Sequence, residues 1–340
     1  MRSPFERFSR ARIVDAIGEG WGLDGVELRY VPLGAGAYHW AATTGNHERY
    51  FVTCDDLDTK PWLGSDRDSV FHGLQGAYAT ASQLRSAGLE FVVAPIATIA
   101  GEVAERIDER HSLSVFEHIE GQPGQWGESL ETVGRADVVT MLARLHQTPA
   151  GGHTIAERPF VVPDRAGLEE ALADLHRPWT GGPLSETARR ELVAHADAVS
   201  SLFEELDRFA AATTSSGARL VVTHGEPHPG NLIRTGDGLA MVDWDTVALA
   251  TPERDLWMLA DDESLIADYE RLTGLAVDRR ALTAHRLMWS LTDLAAYSLQ
   301  LRNEHEAGAD SDRALAAVRS ILGGEQPTPY GFVSPPPCPG

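Results

Sequence analysis

Two stretches carry side chains whose types and spacing could perform chemistry: VVTHGEPHPGNLI at 221–233 and LAMVDWDTVA at 239–248. In the first, an apolar run delivers His224-Gly225-Glu226, after which Pro227, Pro229 and Gly230 force an irregular loop before Asn231. In the second, another apolar run delivers Asp243, with Asp245 two residues on. Acidic groups and an amide placed on neighbouring strand ends can meet in one cleft. There they hold a divalent cation through oxygen and offer a carboxylate to a hydroxyl nucleophile. Phosphoryl transfer has this layout.

Rival chemistries fit these residues less well. H-x-E opens the zinc deaminase signature, but that chemistry also needs P-C-x-x-C, and the sequence has only Cys54 and Cys338. His224 and His228 are four apart, yet Pro227 and Pro229-Gly230 deny them a regular helix, so spacing does not aim them at one metal. Lys60, in DDLDTKPW, is the sole lysine against 28 arginines, which excludes a Walker A loop. GAGAYH lacks the third glycine of a dinucleotide fingerprint, and the chain does not alternate strand and helix.

The elements that must position the loops follow from periodicity. Residues 26–45 read as a strand, a glycine turn and a returning strand, and 49–56 as a further strand rich in β-branched and aromatic residues. A helix is expected over 68–88, with Ala77, Ala81 and Leu84 on one face and Gly88 as its stop. FVVAPIATI (91–99) and HSLSVFEHIEG (111–121) are expected to complete a five-stranded antiparallel set. After a connector at 120–128 the pattern becomes helical, at 131–148, 166–176, 185–212, 253–272 and 279–303. ARLVVTH and GLAMVDW supply a small strand pair at the site. The fold class expected is α+β.

At 340 residues, two domains are the default. The boundaries expected are 1–118 for an N-terminal lobe, 119–325 for a catalytic lobe and 326–340 for a proline-rich tail. Net charge of −21 argues against nucleic-acid binding, since phosphate backbones would be repelled. The acidic surface suits a cationic small molecule, and equally serves solubility. No apolar run reaches membrane-spanning length, and the basic start lacks the apolar core of a signal peptide. A cytoplasmic location is expected, with no membrane partner.

The run H-G-E-x-x-x-x-N followed by apolar-D-W-D resembles the catalytic motif and metal-binding aspartate of the aminoglycoside phosphotransferase family, small-molecule kinases with a bilobal protein-kinase-like fold. DTVALATPERDLWML continues that pattern, MLARLHQT is similar to its LxxLH helix, and the similarity covers most of 26–300. The resemblance implies ATP and Mg2+ as cofactors, with Glu226 as catalytic base, Asn231 and Asp243 as magnesium ligands and His224 as the motif histidine. It places Gly34 and Gly36, in LGAGAYHW, over the nucleotide, and Phe116 and His118, in FEHIEGQPG, at the interlobe hinge. Asp245 is a candidate to support the metal, and Asp255 a brace for the catalytic loop. The activity implied is ATP-dependent phosphorylation of a small hydroxylated acceptor bound between added helices of the C-terminal lobe. Antibiotic kinases of comparable length, such as spectinomycin-type enzymes, make a cationic amino sugar or aminocyclitol the acceptor to consider.

Departures from the pattern matter. The base is Glu where the family usually has Asp, which moves the carboxylate by about 1.5 Å. Thr53 stands where a kinase places its phosphate-binding lysine, and the following helix offers Gln75 and Gln83 where an ion-pairing glutamate is expected. Lys60, seven residues past Thr53, is the candidate to restore the phosphate contact from a loop. These losses leave a second reading open, a kinase-like module that binds nucleotide or ligand without phosphoryl transfer.

Overall fold

The computed structural model describes residues 9–33, 37–125, 128–149, 155–157, 160–215 and 219–323. In chain order the elements are α1 (Arg10–Trp21), β1 (Glu27–Val31), β2 (Ala37–Thr43), β3 (Arg49–Asp56), α2 (Arg67–Ser86), β4 (Glu105–Arg106), β5 (His111–Glu117), β6 (Gln122–Pro123) and α3 (Arg135–Gln147). They continue as α4 (Arg165–Ala173), α5 (Ser185–Ser215), β7 (Val221–Thr223), β8 (Leu232–Thr235), β9 (Gly238–Met241), β10 (Ala248–Ala250), α6 (Glu253–Leu256), α7 (Glu263–Thr273), α8 (Arg279–Arg302) and α9 (Ala309–Gly323).

The chain packs as two units. The first comprises 1–157, 220–255 and 267–275; the second comprises 158–219, 256–266 and 276–340. The boundary anticipated at 118/119 runs inside the first unit, because β6 pairs with β8 of the catalytic segment.

A five-stranded antiparallel sheet, ordered β1-β2-β3-β5-β4, dominates the first unit. Strand side chains alternate between faces. One face carries Leu28, Trp40, Val52, Cys54 and Val115 and is covered by Ile13, Ile17 and Trp21 of α1. Each such side chain contributes about 1.5–3 kcal/mol on burial. Ser9 caps α1 through the Arg12 amide, and Gly22, at φ +68°, ends it. The opposite face meets α2, whose start is fixed by a reciprocal Asp66–Ser69 capping box. Tyr78 of α2 stands edge-on to Phe116.

The fourth strand of this sheet is not where periodicity put it. Residues 91–99 make only isolated bridges, Val92 to Met241 and Pro95 to Phe116, and Pro95 has no amide to continue a ladder. At its start the run holds β9, Val93 donating to Met241 and Met241 to Phe91, and past Pro95 the Ile96 amide reaches β5, at the Val115 carbonyl. Two-residue β4 takes the edge of the sheet.

The two runs expected to form a strand pair fall in separate small sheets, β10-β7 and β6-β8-β9: 221–223 pairs with β10 and 238–241 with β8. In the second unit, α4, α5, α8 and α9 share a core that includes Leu168, Leu192, Phe203, Leu291, Leu294 and Val318. The helix expected over 253–272 is broken into α6, a 3-10 turn at Trp257–Leu259 and α7. Residues 326–340 lie outside the described residues. Among the described residues no helix is long and apolar enough to cross a membrane.

Candidate functional site

Strand β7 delivers the chain to His224, and two reversals then bring Asn231 to the start of β8. The Asn231 carbonyl accepts from the Val242 amide at 3.0 Å, so the β8–β9 pairing continues to Asn231 opposite Val242, the residue before Asp243. His224 closes the loop from beneath. Its Nε2 lies 2.9 Å from the Val242 carbonyl and its Nδ1 accepts from the Glu226 amide at 3.1 Å. Burial lowers its pKa, so the imidazole is neutral and acts as a spacer with one donor and one acceptor. Glu226 projects half-buried, its carboxylate 3.9 Å from His228 Nε2.

Asp255 braces this loop. It accepts the amides of His224 at 2.8 Å and Gly225 at 2.6 Å, and faces His146 Nε2 at 3.1 Å. Burial opposes its ionisation, but the hydrogen bond and charge of His146, with Arg254, hold its pKa below the usual carboxylate range. His146, from the LxxLH helix α3, is itself held by Tyr269 at 2.8 Å. Arg254 donates to Thr223 Oγ1 and the Thr246 carbonyl. Its guanidinium passes so close to Gly225, which sits at φ +100°, that an added Cβ would lie 2.2 Å from Nη2. Gly225→Ala is therefore expected to lose about 1–3 kcal/mol of stability, measured by urea unfolding.

Lys60 enters the same region from the turn after β3 and is 3% exposed. Its Nζ bonds Asp245 and lies 3.0 Å from Asp55 Oδ1. Tyr78 Oη donates to Asp55 Oδ2 at 3.3 Å. Burial alone would lower the lysine's pKa, yet Asp245, Asp55 and Asp243 together raise it above its ordinary value. The partner carboxylate thus comes from β3 itself and not from α2. Gln75 of α2 bonds Glu102 at the surface, and Tyr78 occupies the helix's inward position. Asp55 lies two residues past Thr53, so the two share a sheet face, which is the signal that could have found it.

Among the other residues singled out in the sequence, Thr53 pairs across the sheet with His39, and its Oγ1 lies 3.2 Å from His39 Nδ1. Phe116 pairs with Phe51 on that face. The His118 amide donates to the Arg49 carbonyl at 3.3 Å, and its partly exposed ring lies 3.9 Å from Glu120. Gly34 and Gly36 lie outside the described residues.

Asp243 adopts φ +66°, a left-handed conformation that Asp tolerates better than most residues. Its side chain reaches solvent, but the walls of the cleft desolvate it and Asp245 repels it. Lys60 only partly compensates, and the carboxyl pKa rises to about 7. The site is short of positive charge at this atom. Asn231 Nδ2 donates to the Glu226 carbonyl at 3.0 Å, which leaves Oδ1 as an acceptor. Among the described residues no three His, Cys, Asp or Glu side chains converge as a metal centre. One carboxylate and one amide oxygen suit Mg2+, a cation that keeps several waters and completes its shell with substrate phosphates.

The model of the phosphotransferase enzyme family matches residues 27–286. A spectinomycin phosphotransferase solved with ADP and spectinomycin superposes with a TM-score of 0.72 at 15% identity, covering 93% of this chain and 95% of that one. An amicoumacin kinase solved with AMP-PNP and Ca2+ gives 0.55 at 14% identity over 95% of both chains. A type I macrolide 2′-phosphotransferase gives 0.52 at 16%, over 94% and 99%. No curated protein sequence matches significantly. With its kinase-like fold and a family model spanning more than half its length, the chain belongs to the phosphotransferase enzyme family.

Proposed function

We propose that the protein is an ATP-dependent O-phosphotransferase for a small hydroxylated acceptor. The observation that carries this reading is the placement of the sequence's one lysine. Lys60 is buried between Asp55 and Asp245 in the cleft that receives Asp243, in a chain whose β3 has Thr53 at the expected lysine position. Removing an ammonium from water is costly, and a buried lysine beside a cluster of carboxylates is what a polyphosphate site requires.

In this reading Glu226 accepts the acceptor's hydroxyl proton as the oxygen bonds to the terminal phosphorus and the bond to the bridging oxygen of ADP breaks. Asn231 and Asp243 would hold Mg2+ through one amide and one carboxylate oxygen. When bound, the ion neutralises charge on the phosphate oxygens. Lys60 supplies a fixed positive charge, oriented by Asp55 and Asp245. His224, neutral and hydrogen-bonded at both nitrogens, keeps Glu226 and Asp243 at a constant separation. Phe116 and His118 lie on the strand and connector along which the nucleotide would be held.

The acceptor proposed is a cationic aminocyclitol or amino sugar. Net charge of −21 favours a cation, and a structural neighbour was solved with spectinomycin. A reaction fed by ATP places the protein in the cytoplasm. The test is Mg2+-dependent ADP release with aminocyclitols, amino sugars, macrolides, choline and homoserine as acceptors. Acceptor-stimulated turnover with an amine-bearing compound is expected. Nucleotide binding without ADP release for any of them would convert the reading to a binding module.

A further inference from the structure

The sheet face that carries Asp55 is ordered in rows, because cross-strand partners share a face. Nearest Lys60 is the row Ala37–Asp55–Ser112. Next comes Val31–His39–Thr53–Ser114, polar from His39 to Ser114 and without a formal charge on any member. Beyond it lies Arg29–Ala41–Phe51–Phe116, with two aromatic rings. Along β3 and β5, charge therefore gives way to neutral polarity and then to aromatic rings, with Arg29 at the far β1 end of the last row.

His39 is the feature of this face that packing does not account for. Its ring stacks on Phe51 with centroids 5.2 Å apart, and its Nδ1 is tied to Thr53. Among the described residues no hydrogen-bond partner is recorded for its Nε2, and the side chain stays partly accessible while Thr53 and Ser114 are buried. Burial is the largest cause that lowers its pKa, to about 3, so the ring is neutral. A neutral imidazole has one donor and one acceptor. If Thr53 Oγ1 donates to Nδ1, the ring proton is confined to Nε2.

We infer that His39 is a nucleotide-contacting residue: its Nε2–H donates to an oxygen of a proximal phosphate of ATP, with the base toward Phe51 and Phe116 and the terminal phosphate toward Lys60. This rests on the kinase reading above. It assigns to β2 part of the phosphate contact that Thr53, for want of a charge, does not make from β3. The imidazole donates without adding a second cation beside Lys60, and Thr53 holds the ring in place through Nδ1.

The experiment measures equilibrium binding of adenosine and ADP, with Mg2+, to the unmodified protein and to His39→Ala and His39→Gln, with melting temperatures as a folding check. His39→Ala is expected to weaken ADP about 10-fold and to leave adenosine within about twofold. His39→Gln, whose amide N–H reaches a similar point, is expected to recover ADP binding to within about threefold. Equal losses for adenosine and ADP would reveal a packing role and overturn the inference, as would unchanged ADP affinity in a folded His39→Ala. Failure of the unmodified protein to bind either nucleotide would instead remove the kinase reading and this inference with it.

Discussion

Asp243→Ala is expected to lower kcat/KM by at least about 10³-fold while leaving the fold intact, because in the proposed mechanism the residue contributes charge to the reaction, and it contributes little to packing. The electrostatic sign supports this separation. A carboxyl whose pKa is raised to about 7 is held in the folded state against its preference, so ionisation at pH 8 works against folding there. Removing it relieves repulsion from Asp245. The opposing effect is conformational, since alanine at φ +66° costs about 1–2 kcal/mol more than it would in an ordinary region. The two nearly cancel, and the melting temperature is expected to shift by only a few degrees. Asp243→Asn, which tolerates the left-handed conformation, should be as inactive and at least as stable. Steady-state kinetics and calorimetry check both. Undiminished turnover in either variant would refute the magnesium assignment.

The second large effect is expected at Lys60. Lys60→Met leaves Asp55 and Asp245 buried without their counter-charge, and breaking a buried pair on one side costs about 3–5 kcal/mol. Activity should fall about 10²–10³-fold as the phosphate partner is lost. The stability loss carries its own pH signature. Burial already raises the Asp55 pKa against the pull of Lys60, and removing the lysine raises it further. A carboxyl with a raised folded pKa favours the fold while protonated and loses that contribution as pH climbs through the folded value. The deficit of Lys60→Met should therefore be smaller at pH 5 than at pH 8. Pairing it with Asp55→Asn should restore part of the stability without restoring turnover. Chemical denaturation at the two pH values, beside kinetics, separates these outcomes. A folded Lys60→Met with full activity would dismiss the lysine from the reaction.

The motif loop was legible because it is local. His224, Glu226 and Asn231 lie within eight residues, and glycine and proline punctuate the loop that holds them. The same holds for α2 and α8, whose apolar spacing reports the face they bury. Less legible were features that depend on closure. Lys60 meets Asp245 across 185 positions, and no periodicity encodes that meeting. The absence of a glutamate in α2 pointed to Gln75 and Gln83 as replacements, whereas Asp55 and Tyr78 provide the contact. The apolar run 91–99 reads as a strand but Pro95 interrupts it, and the hydrogen bonds at its start serve β9. The periodicity over 253–272 hid a break. The break comes just after Asp255, as the 3-10 turn at Trp257–Leu259, and Asp255 itself accepts the amides of 224 and 225 from within α6. Helix α9 went unread although Ala314, Leu315, Val318 and Ile321 have helical spacing.

A sequence with one ε-amine also carries its own reporter. Reagents that acylate amines find, among side chains, a single target, and it is enclosed by two carboxylates and raised in basicity. Its labelling rate consequently tracks how often the crevice opens, and anything seated there would register as protection without a probe being introduced.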